Sequence, residues 1–417
     1  MYPSEREVLW LYINNPFFMK ILISVCRCLV GVLFIFSGLV KANDPLGLSY
    51  KMQEFFEVWN FHWLDHFTLA FSVLMIVFEI VAGVAILLGW RMRLFSWLLL
   101  LLIIFFTFLT GYAYLSGKVR ECGCFGDCIP LTAGQSFTKD LILLVLIVFL
   151  FLVRDGIRPI LPRVGSVAVL VLATVVSFAF QWYVLIHLPV VDCLSYKAGN
   201  NIPEKMKIPP GAIPDSTVIT MVYEKGGKKT EFGASQFPAD FDDSYHFVSR
   251  YDKLVRKGNA EAAIKDFNLI TGAGVDTTQA VLEAKGFKLF LFEKEVLDEH
   301  PDWNKAFSVV LTMARSKHIP VFFITGDYDH LSALLQQQGI AADVTVLKCD
   351  ATAIKTAARA NPTLYLIKGG TVLNKWSYAD FERALPAVNE LPDQVAAAPD
   401  QGTAPTAAPS DSTMPAK

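Results

Sequence analysis

Five apolar runs fall before residue 190, and they decide what this chain can fold into. They extend over about Lys20 to Val40, Phe67 to Trp90, Leu94 to Leu115, Ser136 to Val153 and Val164 to Leu188. A hydrocarbon core about 30 Å thick is crossed by roughly 20 apolar residues in helical conformation. Each run therefore reads as a transmembrane helix, the fourth being the shortest. Trp59, Trp63, Trp90 and Trp97 stand at the ends of runs, as interfacial anchors do. The first run is long and lacks a small-residue cleavage site, so no cleavable signal is expected. The chain of 417 residues is 53% hydrophobic with a formal charge of −2. It has no phosphate-binding glycine loop. The bilayer is thus an expected partner and nucleic acid is not.

Basic residues in short loops set the expected orientation. Gly89-Trp-Arg-Met-Arg93 is a tight turn with two arginines, and Arg154, Arg158 and Arg163 crowd the connection between the fourth and fifth runs. Those loops are placed in the cytoplasm with residues 1–19. Everything after Leu188 then lies outside, in a bacterial-type inner membrane with a periplasmic C-terminal domain.

The same orientation puts Cys122-Gly-Cys-Phe-Gly-Asp-Cys128 outside, where disulfides persist. Three of the seven cysteines stand in that loop. Thiols so close can exchange with a partner disulfide, form a static bridge or hold a metal. A Cys122–Cys124 bridge closes only a very small ring, whereas Cys128 with either is less strained. Cys193, just past the fifth run, is the candidate resolving partner. Cys26 and Cys28 point about 200° apart on a helix and read as small hydrophobes. His62 and His66 have metal-pair spacing with no third ligand nearby, and read as an interfacial helix face. Arg27 and Glu79, counted from the outer ends of their runs, both lie roughly 18–21 Å deep. An intramembrane ion pair between them is expected, serving helix packing or a proton or quinone site.

Gly31-Val-Leu-Phe-Ile-Phe-Ser-Gly-Leu-Val-Lys41, with Arg27 upstream, resembles the first helix of the DoxX family. Glu79-Ile-Val-Ala-Gly-Val-Ala-Ile-Leu-Leu-Gly-Trp-Arg91 resembles its second helix, and Cys122-Gly-Cys-Phe-Gly resembles the related MauE branch. The resemblance covers about residues 18–155 and implies a four-helix membrane bundle. MauE-type proteins are linked to maturation of a disulfide-rich periplasmic enzyme of methylamine oxidation. The bundle is also similar to the vitamin K epoxide reductase type, which passes electrons from thiols to a quinone. That type carries a Cys-x-x-Cys at a helix end, which is absent here. Quinone is the one cofactor the resemblance brings into question.

From Asp192 the composition turns polar. Residues 192–262 read as a linker with a small β-rich insert, including a strand at Thr217–Tyr223 and a hairpin turn into Lys229. Residues 263–392 alternate strand and helix patterns. Ile264–Ile270 and Gly274–Thr278 resemble the opening strands of thioredoxin-like thiol reductases and peroxiredoxins. Strands follow at Phe287–Phe292, Ile319–Thr325 and Asp343–Leu347, with helices between. A hairpin follows Asn361-Pro362, and the resemblance implies a cis Pro362. The region after Phe292 lacks the Cys-x-x-Cys of a working thioredoxin, so this domain cannot exchange dithiols by itself. Cys349 reads as structural. Residues 393–417, rich in Ala, Pro, Ser and Thr, are expected to be disordered.

The expected architecture is a DoxX/MauE-like bundle at residues 20–155, a fifth transmembrane helix at 164–188 and a thioredoxin-like α/β domain. The leading functional reading is a membrane component of thiol–disulfide chemistry on exported proteins. Cys122, Cys124, Cys128 and Cys193 would react, and the redox-inactive domain would bind the exported client or partner protein. The alternatives are a non-enzymatic scaffold with static disulfides, and a thiolate metal site.

Overall fold

A computed structural model describes residues 16–116, 125–213, 216–233, 237–238, 241–256, 258, 260–296 and 301–394. Cys122, Cys124 and the tail from Ala396 lie outside these residues. Helices α1 (Pro16–Ala42), α2 (Pro45–Val58), α3 (Thr68–Leu88), α4 (Met92–Ser116), α5 (Ala133–Leu152) and α6 (Arg163–His187) come first. Among the described residues, five helices are long and apolar enough to cross a membrane; α2, lying between the first two, is not one of them. Their large outward side chains are apolar, as contact with lipid requires.

Two glycines set the α1–α3 contact. A Cβ on Gly31 would stand 2.9 Å from the Gly83 carbonyl oxygen, and one on Gly83 would stand 2.8 Å from that of Gly31. Small residues let these backbones approach closely where lipid gives no hydrophobic drive. Helix α3 stops at Gly89, whose φ of 69° lies in the left-handed region that favours glycine. Helix α5 starts at a capping box: Thr132 accepts from the Gln135 amide and Gln135 accepts from the Thr132 amide.

The C-terminal region opens with the helical turn α7 (Ile202–Lys205). A three-stranded antiparallel sheet follows, of β1 (Ser216–Lys225), β2 (Lys228–Gly233) and β3 (His246–Arg256), in the order β2-β1-β3. Then come α8 (Thr278–Glu283), β4 (Phe287–Glu293), α9 (Pro301–Ser316), β5 (Val321–Thr325), α10 (Tyr328–Gln337), β6 (Thr345–Lys348), α11 (Ala351–Ala357), β7 (Thr363–Lys368), β8 (Thr371–Ser377) and α12 (Ala384–Asn389). Strands β4 to β8 form one mixed sheet, ordered β6-β5-β4-β7-β8, with β4, β5 and β6 parallel and β7 and β8 antiparallel. Helices cover both faces, which is why Phe287–Phe292 is a nearly unbroken apolar run. Leu289 and Leu291 enter the core with Phe307 and Phe381, while Phe290 and Phe292 enter the core with Phe267 and Tyr365. The Asn361–Pro362 peptide is cis.

Two segments differ from expectation. Tyr196 and Ile202, expected in a linker, are fully buried in the core of the α/β region. The Gly199 amide donates to Val372, and Ile202 to Gly370, so the segment runs along β8. The expected opening strands between Ile264 and Thr278 reduce to bridges of Ile270 with Asp276 and with Lys348.

Candidate functional site

Cys128 and Cys193 are joined in a disulfide between the α4–α5 loop and the segment just past α6. Their Cα atoms are 4.8 Å apart across 65 residues of sequence. The local chain explains the placement. Phe125 packs on Phe36 of α1, with ring centroids 5.8 Å apart, and Gly126–Cys128 makes a 3-10 turn before the Thr132 cap. On the other side, Asn43 at the end of α1 donates to the Val191 carbonyl at 2.8 Å and accepts from the Val191 amide at 2.9 Å. Both sulfurs belong to half-buried residues at one end of the bundle. Cys349 is elsewhere, buried in the α/β core, where desolvation pushes its thiol up to about 12. Thiolate, the nucleophilic form, is therefore scarce there at neutral pH.

The expected Arg27–Glu79 pair does not form. Glu79 pairs with Lys41 at 2.5 Å and accepts from the Ser37 hydroxyl at 3.2 Å. Arg27 donates instead to the carbonyls of Ile86 and Leu87 at 3.2 and 2.6 Å, capping the last turn of α3. Register is the reason. Gly31 faces Gly83 in an antiparallel pair, so Arg27 lies four residues to one side and Glu79 four to the other. At 1.5 Å per residue they are separated by roughly 12 Å in depth.

A second buried carboxylate accompanies the first. Asp140, fully buried on α5, accepts from Lys139 at 2.6 Å and from the Thr110 hydroxyl at 3.0 Å. Ser37, Lys41, Glu79, Phe125, Lys139 and Asp140 line one small cleft. Lys41, Lys139 and Asp140 were missed as site residues in the sequence. The signal was present, because each is an ionisable residue within or beside an apolar run.

The α/β region is seated on the same end. Arg359, after α11, meets Asp44 through Nε at 3.0 and 2.8 Å, and Asp127 through Nη2 at 3.0 Å. Burial alone would lower this guanidinium, but Asp44 and Asp127 hold it above the usual arginine range. Lys375 of β8 pairs with Asp192 at 2.5 Å. Burial pulls its ammonium down, and Asp192 offsets this in part. His187 and Asp380 meet at 2.8 Å. Among the described residues, no group of three or more His, Cys, Asp or Glu side chains is gathered as a metal would need.

A disulfide thus ties the loop before α5 to the segment beyond α6. Residues 19–153 match the family Methylamine utilisation protein MauE. The match takes in all of α3, α4 and α5 and most of α1, together with the loop that ends at Cys128, but not Cys193 or the α/β region. Residues 217–257, the three-stranded sheet, match a domain of unknown function, DUF8463. Protein TlpB of Flavobacterium psychrophilum is 30% identical over 128 residues, which are 30% of this chain and 35% of that protein. The chain thus spans about a third of the length of that curated relative. No solved structure matches.

Proposed function

We propose that this protein is a MauE-like membrane component of thiol–disulfide chemistry on exported proteins. The reacting group is the cysteine set of the α4–α5 loop with Cys193. The observation that carries this reading is the half-buried Cys128–Cys193 bridge at the rim of the bundle. A bridge at a rim can be reached by an attacking thiolate, whereas one inside a core cannot. Cys122 and Cys124 stand close in sequence and supply further thiols for exchange. The chain sits in a bacterial inner membrane with this end periplasmic. Support comes from Arg93, in the first turn of α4, and from Arg154 and Arg158 in the α5–α6 connection, all at the other end of the bundle.

The α/β region serves as a thioredoxin-like binding domain without chemistry of its own. Its strand order and the cis Asn361–Pro362 bond before β7 support that reading. So does the lack of cysteine between β4 and β5.

A second reading is a scaffold protein in which the bridge is static. The ion pairs that fix both cysteine-bearing segments to the α/β region favour it. Differential alkylation of purified protein separates the two. In an exchange-active protein, Cys128 and Cys193 become alkylated after mild dithiol treatment of the folded protein. In a scaffold they do so only on unfolding.

A further inference from the structure

Each cysteine of the bridge is preceded by an aspartate, and each aspartate is held by a cation of the α/β region. Asp127 accepts from Arg359 at 3.0 Å, and Asp192 pairs with Lys375 at 2.5 Å. Neither cation is a loose surface group: the Arg359 side chain is 5% exposed and that of Lys375 10%. The frame behind them is buried and hydrogen-bonded. Arg359 Nη1 donates to the Lys355 carbonyl at 2.7 Å. Tyr365, fully buried in β7, donates to the Ala357 carbonyl at 2.7 Å and lies 5.6 Å under the Lys375 ammonium. The two cations are therefore held at a set spacing by one folded unit, and they grip the two chain segments that the disulfide joins.

We propose that Arg359 and Lys375 are positioning residues for the Cys128–Cys193 bridge, so that docking of the α/β region and oxidation of this pair stabilise one another. The inference takes the same bridge as the proposed function, but adds what controls its oxidation state. Effective concentration is the physical reason. Two thiols close more readily when their segments are already held together. Coupling between two equilibria is reciprocal, so reduction must in turn loosen the docking. In the step itself a dithiol reductant gives two electrons and two protons. The sulfur–sulfur bond breaks, Cys128 and Cys193 become thiols, and the reductant leaves as its cyclic disulfide.

The test is the equilibrium constant of this bridge in full-length protein in detergent, poised in dithiothreitol redox buffers and read by alkylation and mass spectrometry. Arg359→Gln and Lys375→Gln should each shift it about tenfold toward the thiols, about 30 mV for a two-electron couple. Arg359→Lys should recover part of the shift. Arg93→Gln, at the opposite end of the bundle, should give none. Reduction of the wild type should increase hydrogen exchange in residues 194–206 and β8. Should Arg359→Gln fail to fold, Lys375→Gln and the exchange of reduced wild type decide the matter. Constants within twofold of wild type, or hydrogen exchange unchanged on reduction, overturn the coupling. A bridge that titrates in these buffers yet never exchanges in cells would overturn the proposed function and leave the coupling intact.

Discussion

Chemistry at the residue scale divides by burial. Cys349 is a thiol in a core, and burial holds it up near 12. Cys349→Ser should therefore leave thiol exchange of the folded protein unchanged, while Cys128→Ser should abolish it. Alkylation rates of the two variants check this. Glu293 closes β4 with its side chain buried and one carboxylate oxygen without a partner among the described residues, and burial pushes it up to about 7 from 4.5, although nearby His330 pulls the other way. A raised carboxyl favours the folded state most below its unfolded value. Stability is then lost as pH rises from about 4.5 through about 7. At 1.36 kcal/mol per pKa unit the loss is up to about 3 kcal/mol. Glu293→Gln should flatten that dependence and be the more stable protein at pH 8, as denaturant midpoints between pH 5 and 8 would show. An equal slope in both proteins would contradict the assignment.

At the scale of elements, the buried pairs hold the helices in register. Removing one partner of a buried pair typically costs about 3–5 kcal/mol, because the other charge is stranded. Glu79→Gln should therefore lower the melting temperature in detergent more than Lys41→Met with Glu79→Gln. Equal losses would mean that the pair contributes nothing. Gly83→Leu should separate α1 from α3, since even a Cβ at 83 would meet the Gly31 carbonyl at 2.8 Å. Spans were legible because apolar length alone defines them, and the sheet strands because Phe287–Phe292 and Ile319–Thr325 are apolar on both faces. Pairing was not. Depth counted from the ends of apolar runs placed Arg27 level with Glu79, and only the Gly31–Gly83 crossing reveals the offset. Lys41 ends a run, and nothing in the local pattern marks it as the partner of Glu79. Arg359 was beyond reach, since it meets Asp44 across 315 residues with no local pattern to mark it.

For the whole molecule, the disulfide, the buried carboxylates and the seat of the α/β region gather at one end of the bundle. Sidedness alone makes Cys193 a candidate resolving partner for the loop, while the bond it makes with Cys128 depends on where Asn43 and Phe125 fix the two segments. A reporter active only in the cytoplasm, fused after residue 394, should be silent if that end is periplasmic; activity would reverse the orientation and remove the oxidising environment. The exchange of Cys128–Cys193 with client thiols is the claim on which the rest depends. It is tested most directly by acid-quenching cells that carry Cys193→Ser and mapping what is bonded to Cys128. A mixed disulfide between Cys128 and a cysteine of an exported protein is expected, lost in the Cys128→Ser, Cys193→Ser double variant. A Cys128 recovered wholly as free thiol, with a wild-type bridge that stays oxidised until the protein unfolds, would contradict it.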